Sequence, residues 1–237
     1  MEPRVKALMF DVYGTLFSWE GIAEAVAQIF RQKGVRIDPR GFNLFWRNRQ
    51  LQYSMMNTLI GKGFEPFIWL TRKALKSAAA FHSVTLTDEE EEQLTTVWLD
   101  KLEPYPDVLE GLKELKKLGY TMALLTNGNQ EMVRTGVVDW LAHRGFSFDL
   151  LFTADMWQVY KPHPDIYLKS VSTLGLQLRE VLHVCRMQSD VFGAKAAGLQ
   201  VAWINRANEP LEAYGLTPDF TASNLLELVK LLTVPRP

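Results

Sequence analysis

Two kinds of apolar pattern alternate along the chain. Short apolar runs, of the length that a buried strand needs, are separated by segments in which apolar residues recur every three or four positions, as on one face of a helix. The predicted strands cover residues 5–10, 120–126, 150–153, 181–185 and 200–204. Helices are predicted over residues 107–118, 164–174 and 224–232, and two more begin near residues 130 and 190. This alternation predicts an α/β fold, a parallel sheet covered by helices on both faces.

The alternation is interrupted directly after the first strand. The patterns that follow are helical, and they cover residues 21–33, 39–59 and 66–81, with a fourth helix opening at the capping-box sequence Thr87 to Glu90. The acidic run at residues 88–92 complements the dipole of that helix, which explains it better than a metal or a cationic partner does. We therefore predict a core of residues 1–17 and 105–237 and an inserted α-helical cap of residues 18–104.

Composition and charge narrow the possible partners. Hydrophobic residues make up 47% of the 237 residues and charged residues 22%, which is enough apolar material for a core. The net charge of −1 gives no electrostatic basis for binding nucleic acid or an anionic membrane. The one cysteine, Cys185, excludes a disulfide within the chain and favours a reducing compartment. Because neither a membrane-spanning run nor a secretory signal is apparent, we expect a cytoplasmic protein without nucleic-acid or membrane partners.

Polar side chains cluster at the predicted strand ends and in a nearby loop. In an open parallel sheet, ligands bind beyond the carboxyl ends of the strands. Each residue alone is more often a turn or surface residue, but their convergence at one edge favours a site. A carboxylate there can attack an electrophilic centre and form an ester that water opens, and a neighbouring lysine keeps it ionised. The candidates are Asp11, Thr15, Thr126, Asn127, Lys161 and Asp190.

Four segments resemble the motifs of a known superfamily. DVYGTLF, LLTNGN, VYKPHPDIY and SDVFGAKAAGL occur in the order of the four motifs of the haloacid dehalogenase superfamily. That superfamily has a Rossmann-like α/β core, often with a helical cap, and an aspartate nucleophile. Within it, the chain most resembles the L-2-haloacid dehalogenases, through DVYGTLF, FWRNRQLQY, QVYKP and WINR. The match covers nearly the whole chain.

The resemblance implies a role for each residue that matches a motif. It makes Asp11 the nucleophile, Thr15 the hydroxyl that orients it, and Arg47 the arginine that faces the leaving halide. Thr126 is implied to bind the substrate carboxylate, and Asn127 to lie near the halide. The remaining catalytic residues are Lys161, Tyr167 and Asp190, and the expected substrate-binding residues are Tyr13, Leu51, Phe67 and Arg186. For Leu51 and Phe67, a place in the core is an equally open alternative to the apolar side of the pocket.

Two positions argue against phosphatase chemistry. The phosphatases of the superfamily carry a second aspartate two residues after the nucleophile, where this chain has Tyr13, and an acid that holds magnesium where it has Arg186. A halide leaves without a proton, so dehalogenation requires neither the second acid nor the metal. We therefore expect no metal and no other cofactor.

The segment from Cys185 to Met187 also departs from the dehalogenases, which usually carry serines and an asparagine there. Those residues normally help to arrange Lys161, Asp190 and the hydrolytic water. We expect Cys185 to be a small buried residue, and Arg186 to pair with Asp190 or Asp11 or to bind a substrate carboxylate. The departure marks either a shifted substrate range or reduced activity.

The predicted function is a metal-independent hydrolase that converts short (S)-2-haloalkanoic acids to 2-hydroxy acids through an aspartyl ester. One alternative is a related hydrolase that acts on another small carboxylate or on a phosphate ester. The other is a non-catalytic binding protein of the same fold. The resemblance also implies a homodimer.

Overall fold

A six-stranded sheet forms the centre of the molecule, and all of its strands are parallel. The computed structural model describes residues 5–100 and 102–234. The strands are β1 (Ala7–Phe10), β2 (Phe17–Ser18), β3 (Glu103–Pro104), β4 (Thr121–Thr126), β5 (Leu150–Thr153), β6 (Val181–Cys185), β7 (Gln200–Ile204) and β8 (Phe220–Ala222). The large sheet has the order β5-β4-β1-β6-β7-β8. The predicted α/β fold is confirmed.

Helices follow most strands of the sheet. The α-helices are α1 (Gly21–Lys33), α2 (Pro39–Ile60), α3 (Phe67–Phe81), α4 (Asp88–Asp100), α5 (Val108–Lys117), α6 (Gln130–Val133), α7 (Asp139–Ala142), α8 (Ala154–Trp157), α9 (Pro164–Leu174), α10 (Gln188–Ala196) and α11 (Leu225–Thr233). A π-helical turn, Arg134–Val138, joins α6 to α7, and a 3-10 turn, Leu178–Glu180, precedes β6.

The central strand brings the polar loops together. β1 is fully buried and lies between β4 and β6, with Phe10 opposite both Leu124 and Val184. Parallel strands end at the same edge of a sheet, so the loops after β1, β4 and β6 meet there. Apolar strands buried on both faces are what a parallel sheet between helices requires.

Helices α1 to α4 form a unit between β2 and β3. They pack against one another, and β2 pairs antiparallel with β3, so the chain leaves and re-enters the sheet region at one place. This helical insertion follows β1 as expected, while the division at residues 17/18 and 104/105 stays a prediction. Residues 1–4, 101 and 235–237 of the predicted core and cap lie outside the described residues.

The helix starts follow their local sequence. At α4, the backbone N–H of Glu90 donates to the Thr87 hydroxyl and the N–H of Thr87 donates to the Glu90 carboxylate, at 3.2 and 2.8 Å, which is the predicted capping box. Ion pairs join the acidic run of this helix to cations of α1 and α3. The pairs are Glu90 with Lys33, Glu91 with Lys76 and Glu92 with Arg72.

Two features differ from the predicted elements. Strand β8 has three residues, too few to produce a recognisable apolar run, and β2 and β3 have two each. The helix predicted from residue 130 contains the π-helical turn. Within the described ranges, no helix combines the length and the hydropathy needed to cross a membrane.

Candidate active site

Asp11 stands at the carboxyl end of β1 and is almost fully buried. Its backbone N–H donates to the carbonyl oxygen of Val184 at 2.9 Å, which ties the start of the loop to β6. One carboxylate oxygen accepts a hydrogen bond from the Thr15 hydroxyl at 2.7 Å, and the other accepts one from Lys161 Nζ at 3.0 Å. Both oxygens therefore have a donor, and the carboxylate is fixed in orientation.

Thr15 also joins two loops. Its hydroxyl oxygen accepts a hydrogen bond from the backbone N–H of Arg186 at 3.0 Å while the hydroxyl donates to Asp11. The backbone carbonyl of Thr15 accepts from Arg206, whose guanidinium makes two further bonds to Asp107 at 2.7 and 3.1 Å. The loop after β1 is thus held by the segments that follow β6 and β7.

Lys161 lies between two buried carboxylates. Nζ is 3.0 Å from Asp11 and 2.8 Å from Asp190. Burial disfavours the ammonium form, but the charges of Asp11 and Asp190 outweigh burial and raise the pKa of Lys161 above its ordinary value. The backbone N–H of Lys161 donates to the side chain of Asn127 at 2.8 Å, and the bond to Pro162 is cis. Lys161 is therefore charged and held by backbone as well as side chain.

Asp190, in the first turn of α10, has three donors around its carboxylate. Oδ2 accepts from Lys161, and Oδ1 accepts from the Tyr167 hydroxyl at 2.7 Å and lies 2.9 Å from His183 Nε2. Burial favours the neutral acid, but His183 and Lys161 hold the pKa of Asp190 well below its usual range. A Cβ on Gly193 would lie only 2.5 Å from Pro162 and 2.8 Å from the Tyr167 hydroxyl. Glycine therefore lets α10 approach closely enough for these bonds.

Arg47, on α2, is a buried cation of the helical insertion. It donates to Gln50, one turn further along the helix, and Gln50 donates to the hydroxyl of Thr71 on α3. Its guanidinium lies 5.3 Å from the ring centre of Trp98. Burial lowers the pKa of Arg47 to about 10, while the charge of Asp11 opposes this change. Arg47 is therefore charged at neutral pH, and the negative charge of Asp11 stabilises its charged form.

Tyr13, in the loop after β1, packs against helices α3 and α4. Its ring stacks on Phe67 with centroids 6.4 Å apart and meets Trp98 edge-on at 6.1 Å. Its hydroxyl is buried and has no hydrogen-bond partner among the described residues. Burial raises the pKa of Tyr13 far above 10, so the phenol stays neutral. A Cβ on Gly128 would come within 2.6 Å of this hydroxyl, so the loop after β4 closes over it.

A cavity of about 670 Å³ lies next to Arg47 and Arg186. Arg47 and Leu51 line it on the α2 side, and Pro162 and Arg186 line it on the sheet side. Arg186 Nη1 lies 3.6 Å from the place that a Cβ on Gly14 would take, so its guanidinium covers the loop after β1. Arg47 and Arg186 bring two cations to this cavity, and Asp11 is not among its lining residues.

The structure brings most of the predicted residues together. Asp11, Thr15, Lys161, Tyr167 and Asp190 form one hydrogen-bonded group, to which Asn127 is joined through the backbone of Lys161. The Thr126 hydroxyl is buried and accepts a hydrogen bond from the backbone N–H of Gly128 at 3.1 Å, which shapes the loop after β4. Leu51 lines the cavity, and Phe67 supports Tyr13 from inside the core.

The expectations for Cys185 and Arg186 have different outcomes. Cys185 is fully buried, as expected, and burial raises the pKa of its thiol well above the ordinary value. Arg186 does not pair with Asp11 or Asp190. Its guanidinium instead meets Glu209 at 3.3 Å, because Lys161 already occupies the space between the two aspartates.

Several residues of the site were not predicted. His183 contacts Asp190, and Trp98 lies beneath Arg47. The bond from Arg47 to Gln50 follows an i, i+3 spacing that was readable from the sequence. His183 and Trp98 carried no such signal, because each comes close only through the fold.

The residues present do not suit a divalent metal. Tyr13 and Arg186 stand where the phosphatases of the superfamily need acids, and an arginine repels a magnesium ion. One group in the described part of the chain, His183, Cys185 and Asp190, has potential ligand atoms within 4.8 Å of one another. However, Asp190 already accepts hydrogen bonds from its neighbours, and burial keeps Cys185 a thiol. This group fits a hydrogen-bonded core rather than a metal centre.

The fold places a buried carboxylate, held by a lysine and a threonine, at the end of the central strand of an α/β sheet, which is the arrangement of a candidate active site. Comparison with models of protein families identifies the family of the chain. The model of the haloacid dehalogenase-like hydrolase family matches residues 5–198, and the chain belongs to this family.

Individual relatives cover almost the whole chain. Haloacetate dehalogenase H-2 of Moraxella sp. (strain B) is 31% identical over 98% of this chain and 99% of its own length. The (S)-2-haloacid dehalogenase of Pseudomonas sp. (strain YL) is 31% identical over 96% of this chain and 94% of its own. A solved structure of L-2-haloacid dehalogenase from Xanthobacter autotrophicus with chloropropionic acid covalently bound is 29% identical, with a TM-score of 0.82, over 96% of this chain and 98% of that one.

Proposed function

We propose that this chain hydrolyses the carbon–halogen bond of short (S)-2-haloalkanoic acids and releases 2-hydroxy acids. The distribution of charge around Asp11 carries the proposal. The carboxylate is buried between Lys161 and Thr15. Arg47 is also buried, and no carboxylate of the described residues forms an ion pair with it. A carboxylate and an uncompensated cation in one buried site suit a reaction that creates a halide ion.

In the first step, Asp11 attacks C2 of the substrate in line with the halogen. A carboxylate oxygen forms the new C–O bond as the carbon–halogen bond breaks, and the halide leaves with the electron pair, so the configuration at C2 inverts. Thr15 and Lys161 hold the Asp11 carboxylate in orientation. Arg47 stabilises the departing halide, with Asn127 near it, and no acid is needed because halide takes no proton.

In the second step, water attacks the carbonyl carbon of the aspartyl ester. Asp190 takes a proton from this water, and Lys161 stabilises the negative charge that develops on the ester carbonyl oxygen. The ester bond then breaks, and the 2-hydroxy acid leaves. Tyr167 holds Asp190 in place through its hydroxyl.

The remaining predicted residues bind the substrate. The Thr126 hydroxyl accepts a bond from the backbone and keeps its own hydrogen free for the substrate carboxylate. Arg186 adds a positive charge at the cavity wall. Tyr13, Leu51 and Phe67 form or support the apolar surface around the substrate carbons.

The relatives support both the substrate class and the covalent step. The Pseudomonas protein is an (S)-2-haloacid dehalogenase and the Moraxella protein a haloacetate dehalogenase. The Xanthobacter structure contains chloropropionic acid in covalent attachment.

The alternatives are less well supported. Hydrolysis of a phosphate ester is opposed by Tyr13 and Arg186, which replace the acids that such chemistry uses. A non-catalytic binding protein does not require three ionised groups packed together, whereas Asp11, Lys161 and Asp190 form such a group. Hydrolysis of another small carboxylate uses the same residues and differs only in the leaving group.

One turnover in heavy-oxygen water tests the covalent mechanism. With enzyme in excess over (S)-2-chloropropionate, we expect heavy oxygen in the peptide that contains Asp11, as mass spectrometry would detect, because water attacks the aspartyl carbonyl. Product formation with an unlabelled Asp11 peptide would exclude the ester.

Halide release tests the substrate class. We expect chloride or bromide release from (S)-2-haloacids at the same rate with magnesium and with a chelator, and none from Asp11→Asn. Phosphate release from phosphate esters that depends on magnesium, without halide release, would support the phosphatase alternative. Binding of haloacids without turnover of any substrate in the panel would support the binding protein.

We also expect a homodimer in the cytoplasm that acts on a small molecule and binds neither nucleic acid nor membrane. The resemblance supports the dimer, and the charge and cysteine content support the location. Light scattering of the purified protein and fractionation of cells that express it test these two expectations.

A further inference from the structure

His183 lies in β6 with no exposed surface. Its Nε2 is 2.9 Å from Oδ1 of Asp190, and its ring meets the ring of Tyr167 nearly edge-on, with centroids 5.6 Å apart. Its Nδ1 is buried and has no hydrogen-bond partner among the described residues. A buried polar atom without a partner costs stability, which an apolar side chain at this position would avoid.

The chemistry of Asp190 determines which ring nitrogen of His183 carries hydrogen. Lys161 Nζ and the Tyr167 hydroxyl donate to Asp190 at 2.8 and 2.7 Å, and the carboxyl is ionised, so its oxygens accept and do not donate. Nε2 of His183 therefore carries the hydrogen and donates it to Oδ1.

Counting acceptor sites shows what this bond does. A carboxylate offers about two acceptor sites on each oxygen. On Asp190, the sites of Oδ1 are taken by Tyr167 and His183, and one site of Oδ2 is taken by Lys161. The site that remains is on Oδ2, the oxygen that faces Lys161 and, through it, Asp11.

The loop after β6 gives Asp190 no comparable support. Cys185 is a buried thiol, and the side chain of Arg186 turns to Glu209. Within the described chain, the second donor on Oδ1 comes from His183, on the strand beneath the loop.

We propose that His183 is a positioning residue for the second half of the reaction, which fixes the carboxylate of Asp190 so that its one free acceptor site receives the proton of the attacking water. The inference rests on the proposed function. As the water oxygen bonds to the carbonyl carbon of the Asp11 ester, one proton moves to Asp190. The ester C–O bond then breaks, the released alkoxide takes up that proton, and the new carboxyl group of Asp11 loses its proton to solvent.

The kinetics of His183→Phe test this role. Halide release precedes the step in which Asp190 acts, so we expect kcat/KM for halide release to stay within about twofold of the wild type. We expect kcat to fall about 30-fold and KM to fall with it, because the ester accumulates. Rapid quenching and mass spectrometry should then find the Asp11 peptide carrying the mass of the ester, after a burst of halide close to one per site.

Conservative variants separate positioning from packing. The amide of His183→Gln reaches about as far as Nε2 and keeps a donor, so we expect it to recover most of kcat. The amide of His183→Asn lies where Nδ1 does and should behave like His183→Phe, which it replaces if His183→Phe does not fold. His143→Phe, at an exposed histidine, is the control and should leave all constants unchanged.

Two results would overturn the inference. One is an equal loss of kcat and kcat/KM without accumulated ester, which would assign His183 to packing. The other is full activity in both His183→Phe and His183→Asn. Either result counts against His183 alone when the wild type releases halide and incorporates heavy oxygen into Asp11, whereas a wild type that does neither would refute the proposed function itself.

Discussion

The candidate active site has two sides that differ in how their charged groups are compensated. On the sheet side, formed by Asp11, Thr15, Lys161 and Asp190, each ionised group meets an opposite charge within 3.0 Å. These charges are almost fully buried, and Lys161 lies in contact with both carboxylates.

On the helix side, formed by Arg47, Gln50, Thr71 and Trp98, a single cation is held by neutral groups. Arg47 donates to Gln50 and lies over Trp98. Burial lowers the pKa of Arg47, so keeping the guanidinium charged costs free energy.

The difference separates two kinds of residue. On the sheet side, every ionised group has an oppositely charged partner in contact without a ligand, although two carboxylates share one lysine and one negative charge remains. Its residues therefore stabilise the fold as well as the chemistry. On the helix side, Arg47 has no such partner until an anion binds. Removing a charge from the sheet side should therefore weaken both folding and activity, and removing the charge from the helix side should weaken activity alone.

Lys161→Met should have the largest effect. It leaves Asp11 and Asp190 buried without their shared cation, which should cost about 3 kcal/mol of the free energy of unfolding and lower kcat at least about 10³-fold. Urea unfolding and halide release measure the two losses. Lys117→Met, at an exposed ion pair with Glu114, is the matched control and should change stability by no more than about 0.5 kcal/mol. Equal losses in both variants would contradict the role of Lys161 as a buried bridge.

Arg47→Gln should separate the two sides most clearly. We expect kcat for halide release to fall about 10²-fold because the departing halide loses its cation. The free energy of unfolding should stay the same or rise, since a buried charge without a counter-ion has been removed.

Arg49→Gln provides the control for Arg47. Arg49 lies on the same helix, over the ring of Phe45, but it does not line the cavity. Its replacement should change kcat by less than about twofold. A variant of Arg47 that lost as much stability as Lys161→Met would show that the helix side is structural.

Thr15→Val should have an intermediate effect. It removes the hydroxyl that donates to Asp11 and accepts from the backbone of Arg186, so we expect kcat to fall about tenfold and stability to fall by about 1 kcal/mol. Thr15→Ser keeps the hydroxyl and should retain most of both. If Val and Ser behaved alike in kinetics and in urea unfolding, the hydroxyl would have no part in orienting Asp11.

Strong local patterns made the fold predictable. The strands of the sheet interior are apolar on both faces, and the capping box at Thr87 marked the start of α4. β8 was not predicted because its three residues pair with β7 through the backbone, which leaves almost no trace in the side chains.

The site was predictable where function and strand ends coincide. Asp11, Thr126 and Asp190 follow or end strands, and their motifs are local in sequence. His183 was not predicted, because an inward-facing strand residue resembles any core position until the helix that follows places Asp190 beside it. The pairing of Arg186 with Asp11 or Asp190 was not found. Its guanidinium meets Glu209 instead, which could not be predicted because Glu209 lies on a loop without periodic pattern.

Arg186→Ala should have the smallest effect, because Arg186 stands at the boundary of the two sides. Its guanidinium lines the cavity and covers Gly14, but the side chain of its partner Glu209 is 46% exposed, so water screens the pair. We expect KM for (S)-2-chloropropionate to rise about threefold to fivefold with kcat nearly unchanged, because the charge attracts the substrate carboxylate without contacting the reacting bond. Glu209→Gln should lower KM, since it frees the guanidinium for the substrate. If both substitutions raised KM equally, the ion pair itself would be the feature that matters, and Arg186 would belong with the compensated charges of the sheet side.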